Sequence, residues 1–350
     1  MAGHAQKLRV AIVGLGGIHD GHVRGYQQAD DICVITAVCD LDGARAARRA
    51  AELGAAPYTD YLDVVGSDDI DLVDVLLPHN LHFQVVRDSL EHGKHTLVEK
   101  PMAAFSQDAR QLIDLAAERG LHFTVAENTR FVAAYLRAAE IIEAGVIGAP
   151  RLVRTLICGS EVERLSRPEL WKGRRDGSVG GAILDAGPHS FYLIEWLAGP
   201  ISELCASMAK LIEVSEIEDY AVVAGRLLNG SCFTSEFTFT AAIPWNERLE
   251  IYGTEGSLII DQLCDPPAVL FRGSESAGEP VSGVPYSPRD WKRRSIADGV
   301  EDFVRAVQDR RSPAVDPESG FRTMTLVETA YSATAAMKPT LAVGAGGRGV

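Results

Sequence analysis

The sequence predicts a doubly wound α/β domain followed by an α+β domain whose mainly antiparallel sheet is covered on one side. Near-continuous apolar runs alternate with segments of helical period up to residue 127, and a glycine-rich turn follows the first run. Beyond 128 the apolar runs follow one another without intervening helices.

The totals bound the reading. At 350 residues the chain exceeds one ordinary core and suits two domains. The expected division is 1–127, 128–340 and a glycine-rich tail, 341–350, expected to be disordered. No apolar run approaches the roughly 20 residues of a spanning helix, so no membrane partner is expected. "MAGHAQKLRV" enters a strand without the pattern of an export signal, which makes a cytoplasmic location the expectation. A net charge of −14 disfavours nucleic acid, and the one dense basic stretch, "RDWKRRS" at 289–295, reads as a solvated loop. Six scattered cysteines with no C-x-x-C pair give no metal site and read mostly as small apolar fillers.

In the first part the strands are "LRVAIV", "ICVITAVC", "LVDVLL", "HTLVE" and "HFTVA". The helices between them include "GARAARRAAELG", "FQVVRDSLEHG" and "DARQLIDLAAERG", with Ser106 as an N-cap and Gly93 and Gly120 as stops. In the second part a helix, "FVAAYLRAAEIIEAG", leads to a loop-rich stretch reaching about 181. Strands "ELCASMAKL", "YAVVAGRLL", "CFTSEFTFT", "RLEIYG" and "SLIID" follow, and a last helix covers "GFRTMTLVETAYSATAAM". Phe233, Phe237 and Phe239 share one strand face, which calls for one covered side.

"GLGGIHDGH" at 14–22 fits G-x-G-x-x-G at Gly14 and Gly16 but has His19 in the third place. The first glycine makes the tight turn and the second admits a pyrophosphate, so only the third job, close helix-to-strand packing, is affected. Gly14, Gly16, Gly17 and Ile18 therefore form the expected phosphate turn, opening a helix whose N-terminal amides favour an anion. "VITAVCD" ends in Asp40, placed to accept from adenosine ribose hydroxyls or to cap the next helix. With Asp42 beside it and Arg45 nearby, NAD is preferred over NADP.

Three further stretches, "LLPHNLH" at 76–82, "GKHTLVEKPMA" at 93–103 and "GGAILDAGPH" at 180–189, together with the glycine turn, resemble the glucose–fructose oxidoreductase / inositol dehydrogenase / MocA (Gfo/Idh/MocA) family of NAD(P)-dependent enzymes. "NTRF" at 128–131 and "EAGVIGAPRLV" at 143–153 are also similar to family segments. The resemblance implies a Rossmann domain followed by an open-faced, mainly antiparallel sheet, substrates among sugars, cyclitols and related polyols, and a homodimer or homotetramer built through the C-terminal sheet. It also implies cofactor contacts at Leu77, Pro78, His82, Glu99, Lys100 and Asn128, although Leu77 and His79 replace the Thr and Asn of the family pattern T-P-N-x-x-H.

Hydride transfer from a secondary alcohol needs a group that takes the hydroxyl proton and groups that hold the reacting carbon. Lys100, at the carboxyl edge of the sheet, can hydrogen-bond the substrate oxygen, and burial could lower its pKa enough for it to exchange protons. Asp185 and His189, four apart, share a face on a helical turn. The resemblance makes His189 the general base, with Asp185 orienting imidazole or substrate hydroxyl. Trp171 can stack on a ring. By the resemblance Arg130 and Tyr192 complete the substrate side, Tyr192 standing where the family motif D-x-G-x-H-x-x-D often has its last Asp.

The expected function is thus NAD-dependent oxidation of a ring hydroxyl of a sugar, cyclitol or glycoside. An NAD-assisted lyase or glycosidase with transient ring oxidation uses the same parts, and a non-catalytic NAD-binding sensor is the third alternative.

Overall fold

The computed structural model describes residues 7–336, and the tail expected at 341–350 lies outside them. Strands β1 (Leu8–Val13), β2 (Cys33–Cys39), β3 (Ala56–Tyr58), β4 (Leu72–Val75), β5 (His95–Glu99) and β6 (Phe123–Ala126) form a six-stranded parallel sheet of order β3-β2-β1-β4-β5-β6. Between them run α1 (His19–Gln28), α2 (Gly43–Leu53), α3 (Tyr61–Val65), α4 (His82–Glu91) and α5 (Ser106–Arg119). The strand order reverses between β1 and β4, which opens the crevice where doubly wound folds bind ligands.

The pleat of β1 sends successive residues to opposite faces: Ala11 and Val13 pack toward α4 and α5, while Val10 and Ile12 pack toward α1 and α2. That second face is completed from far along the chain by α10 (Trp291–Asp309), whose Val300, Phe303, Val304 and Val307 join the same core. Here the basic stretch is corrected. Trp291 and Ser295 are buried in the opening turns of α10, and Arg293 and Arg294 lie on its exposed face, so the charges mark an amphipathic helix and not a loop.

After α6 (Ala133–Glu143) the chain forms β7 (Pro150–Cys158), the short helices α7 (Val162–Leu165) and α8 (Arg175–Ser178), and the long helix α9 (Ala182–Ala198). Then come β8 (Ile201–Ala209), β9 (Tyr220–Leu227), β10 (Cys232–Thr238), β11 (Asn246–Gly253), β12 (Gly256–Ile260), β13 (Ala268–Arg272), β14 (Glu279–Pro280), α10 and α11 (Pro317–Ala336). The eight-stranded sheet has the order β14-β13-β12-β11-β7-β10-β9-β8 and is antiparallel except where β10 pairs parallel with β7.

β7, inside the stretch expected to be loop-rich, is a central strand. Its Val153, Thr155 and Ile157 face the core, but the exposed Arg151 near its start and Arg154 on the open side dilute the apolar signal. Phe191 and Ile194 of α9 pack against Phe233 and Phe237, and the buried hydroxyls of Ser190, Thr155 and Ser235 lie 2.5–2.9 Å from one another, pinning α9 to β7 and β10.

Two expected caps change. Ser106 is the first residue of α5 and donates to Glu328 of α11 (2.5 Å), while Phe105 stands at the N-cap. Asp42, not Asp40, caps α2, accepting from the amides of Ala44 and Arg45. Gly120 does end α5 in the left-handed conformation. Of the cysteines, Cys33, Cys39 and Cys158 are buried fillers, whereas Cys205, Cys232 and Cys264 are exposed. No helix among the described residues is long and apolar enough to cross a membrane.

Candidate active site

The glycine turn lies at the β1 end of the crevice. Gly14 has φ +101°, and a Cβ there would come within 2.1 Å of the Leu76 carbonyl, so strand β1 and the segment after β4 approach closely only because it is glycine. At Gly16 and Gly17 a Cβ would meet nothing within 4 Å, leaving the open approach a pyrophosphate needs. His19 turns its ring back so that Nδ1 reaches the Gly16 carbonyl. Close packing on α1 is instead handled by Gly21 and Gly25, where a Cβ would fall 2.9 Å from Ile296 and 2.5 Å from Val300 of α10. Asp40, just after β2, accepts from the Leu15 amide (3.0 Å) and pairs with Arg45 (3.0 Å), which binds the cation of this corner to carboxylate.

Lys100 follows β5, with a cis bond to Pro101. Its ammonium is 2.5 Å from Asp185 Oδ1 and 2.6 Å from the Asp185 carbonyl, in the turn of α9 that Pro188 loosens by lacking an N–H. Lys172, from a short 3-10 turn (Trp171–Gly173) before α8, reaches Asp185 Oδ2 at 3.1 Å and Glu161 at 3.4 Å. Burial alone would lower the Lys100 pKa, but Asp185 and Glu99 outweigh it and hold it above the ordinary lysine value. The expectation that burial lowers it is therefore overturned. Asp185 is held well below the usual carboxylate range: burial opposes this, and Lys100 and Lys172 prevail.

One helical turn further, the imidazole is oriented by a residue other than Asp185. His189 Nδ1 lies 2.7 and 3.0 Å from the two oxygens of Glu127, which also accepts from the Thr129 amide and hydroxyl. Burial would raise the Glu127 pKa, yet His189 and Thr129 hold it below the ordinary range. A carboxylate can only accept, so Nδ1 carries the proton and the buried Nε2, without a partner among the described residues, is left free for acid–base work.

The other expected residues fall around this pair. Tyr192 is buried and lines one small cavity with Lys100, Glu127 and Pro188. Arg130 stacks its guanidinium 4.2 Å over Trp196. Trp171, half-buried, meets His79 edge to face at 4.9 Å. His79 Nδ1 donates to the Ser178 carbonyl (3.0 Å), and burial pulls its pKa down to about 3. His82 is buried between two loops, its ring nitrogens 2.7 Å from the Pro101 carbonyl and 2.8 Å from the Leu77 carbonyl; burial lowers its pKa, so it donates to one of the two. Asn128 donates to Ser295 of α10 (2.9 Å), and Leu77 and Pro78 are half-buried at the end of β4.

Glu127, Lys172 and His22 are absent from the residues singled out in the sequence. Glu127 carried a usable signal, an acid directly at the carboxyl end of an apolar strand. Lys172 carried none, because its partner Asp185 is met only through the fold.

Comparison with known proteins agrees with this architecture. Residues 8–127 match the family model described as "Oxidoreductase family, NAD-binding Rossmann fold", and residues 135–259 match "GFO/IDH/MocA C-terminal domain". The chain is 31% identical over 274 residues to a dTDP-3,4-didehydro-2,6-dideoxy-alpha-D-glucose 3-reductase of Streptomyces violaceoruber, covering 76% of this chain and 77% of that one. It is 24% identical over 319 residues to myo-inositol 2-dehydrogenase of Thermotoga maritima, covering 89% and 92%. Among solved structures, levoglucosan dehydrogenase in complex with NADH and levoglucosan superimposes with a TM-score of 0.84 at 22% identity, covering 94% of this chain and 98% of that one. Both halves of the architecture and the extent of these matches lead to one conclusion: the chain belongs to the Gfo/Idh/MocA family of NAD-binding oxidoreductases.

Proposed function

We propose that this protein is a dehydrogenase acting on a ring secondary hydroxyl of a sugar, cyclitol or glycoside, with His189 as the acid–base group and Lys100 as the charged donor to the reacting oxygen. The observation that carries the reading is the pair of buried clusters on neighbouring turns of α9: Lys100 bound to Asp185, and His189 backed by Glu127 with Nε2 free. NAD, held at Gly14, Gly16, Gly17 and Asp40, supplies the hydride acceptor when bound. Lys100 donates to the substrate oxygen and stabilises negative charge on it. Asp185, between two ammonium groups, fixes Lys100 and Lys172 in place. His189 Nε2 takes or returns the hydroxyl proton, and Glu127 stabilises the resulting imidazolium. Trp171 and Tyr192 supply aromatic walls suited to the apolar face of a ring. The names of the relatives, acting on inositol and on a deoxysugar nucleotide, support this substrate class.

The test is a panel of polyols, free sugars and glycosides with NAD. NADH appearing together with a keto product is the expected result. Product without net NADH would indicate the lyase chemistry instead.

We further propose that the open face of the second sheet is covered by another copy of the chain. Its half-exposed Leu152, Leu156, Val222 and Ile259 alternate with the Arg154–Glu250 pair (2.9 Å), a mixed apolar and paired-charge face suited to a subunit contact. Light scattering at micromolar concentration is expected to give a dimer or tetramer, and a monomer would remove the proposal.

A further inference from the structure

Beneath the site, and outside the groups used above, α1 carries a histidine between two buried acids. His22 is fully buried, with Nδ1 2.9 Å from Asp74 Oδ2 at the end of β4 and Nε2 3.1 Å from Glu99 Oε1 at the end of β5. The other oxygen of Glu99, Oε2, accepts the N–H of Lys100 at 3.0 Å. A single carboxylate thus joins the helix of the phosphate turn to the backbone of the lysine in the site.

We propose that His22 is a positioning residue: an imidazolium, donating from both nitrogens, that keeps Glu99 ionised and thereby fixes Lys100 relative to α1. A neutral imidazole has one donor and one acceptor nitrogen, and its acceptor would face a carboxylate that can only accept. The doubly donating form removes that conflict and balances one of two buried negative charges. The groups facing the cluster are Tyr26 on α1, beside Asp74, and Lys100 and His189, beside Glu99. Burial opposes the charged imidazole, but Asp74 and Glu99 outweigh it and push its pKa up to about 10. Glu99 is held below the ordinary range, with His22 and Lys100 overcoming its burial. This proposal rests on the role given to Lys100, but the first of its two tests does not.

The first test is histidine-selective nitrogen NMR of the intact protein at about pH 8, where an ordinary histidine is neutral. One histidine should show two protonated ring nitrogens, and its signal should vanish in His22→Gln, or in His22→Asn if that chain folds better. A neutral tautomer at His22 would overturn the proposal whatever the substrate proves to be.

The second test is kinetic. With the cation gone, the buried Glu99 loses a charge that keeps it ionised and takes up a proton as pH falls, so kcat of His22→Gln should gain an ionisation between about pH 5 and 8. Its plateau should fall about tenfold or more, with KM for substrate little changed. The added ionisation should disappear in His22→Gln/Glu99→Gln. A purely structural His22 would lower the amount of folded protein and leave the profile of kcat with pH unchanged, which would refute the coupling to Lys100.

Discussion

Replacing Glu127 by Gln keeps the shape of the side chain and removes its charge. Glu127 Oε1 accepts from His189 Nδ1 (2.7 Å), the Thr129 amide (3.0 Å) and the Thr129 hydroxyl (2.6 Å), and Oε2 lies 3.0 Å from the same Nδ1. If the amide oxygen keeps the Oε1 place, it accepts from Nδ1 as a neutral group, and its NH2 group crowds the same Nδ1–H from 3.0 Å, donor against donor. If the amide flips, the NH2 group faces the Thr129 N–H instead. Either arrangement loses a charge-assisted hydrogen bond of about 1.5–3 kcal/mol, and at about 1.4 kcal/mol per tenfold this lowers kcat by roughly 10- to 150-fold. The assay is steady-state NADH formation on the best substrate, with NAD affinity followed separately by fluorescence and expected to change little. A kcat within about threefold of the parent enzyme would refute the role given to Glu127.

Three other outcomes follow from the same geometry. Gly17→Ala should leave stability unchanged because nothing lies within 4 Å of its Cβ, yet weaken NAD binding about tenfold; Gly25→Ala, 2.5 Å from Val300 and 2.6 Å from the Ala297 carbonyl, should cost about 1–3 kcal/mol in denaturant unfolding without touching the cofactor. Asp40→Ser frees Arg45 from its 3.0 Å partner and should shift kcat/KM from NAD toward NADP by about tenfold or more, and an unchanged ratio would count against Asp40 as the ribose acceptor. Asp185→Asn should destabilise the fold at neutral pH by about 3–5 kcal/mol, since Lys100 and Lys172 then face an amide. The sign with pH follows from the lowered Asp185 pKa and raised Lys100 pKa: the stabilisation is complete above the unfolded Asp value, is lost as pH falls through the lower folded value, and on the alkaline side is lost only above the ordinary lysine value. Thermal unfolding of parent and variant should therefore converge in acid, and a constant gap across pH would contradict the charge assignment.

Much of the fold was legible because it is written in local periods. The runs ending at Val13, Cys39, Val75, Glu99 and Ala126 are buried on both faces and so nearly continuous in apolar residues, which only a covered parallel sheet requires. The second sheet was harder. One face is open, so β7 mixes Arg154 with Val153 and Ile157, and its central place comes from partners in β10 and β11, 80 to 103 residues away. α10 was missed for a related reason: its apolar stripe is completed by β1 and α1, at the other end of the chain.

In the site, Lys100, Asp185 and His189 stood out through motifs, but the groups that set their chemistry did not. Glu127 meets His189 across 62 positions, and His22 meets Glu99 across 77. Locally, the place of Glu127 at the carboxyl end of β6 marks it as a candidate, but neither its partner nor that of His22 is announced, because a single acid or histidine at a strand end or on a helix is equally an ordinary capping or surface group.

The most direct measurement of the central claim is NADH formation by the parent enzyme and by Lys100→Met and His189→Ala on one substrate from the polyol and glycoside panel, with NAD binding measured in parallel. The account predicts that both variants bind NAD as the parent does and lose about two to four orders of magnitude in kcat. Either variant turning over at the parent's rate, with the same keto product, would contradict it.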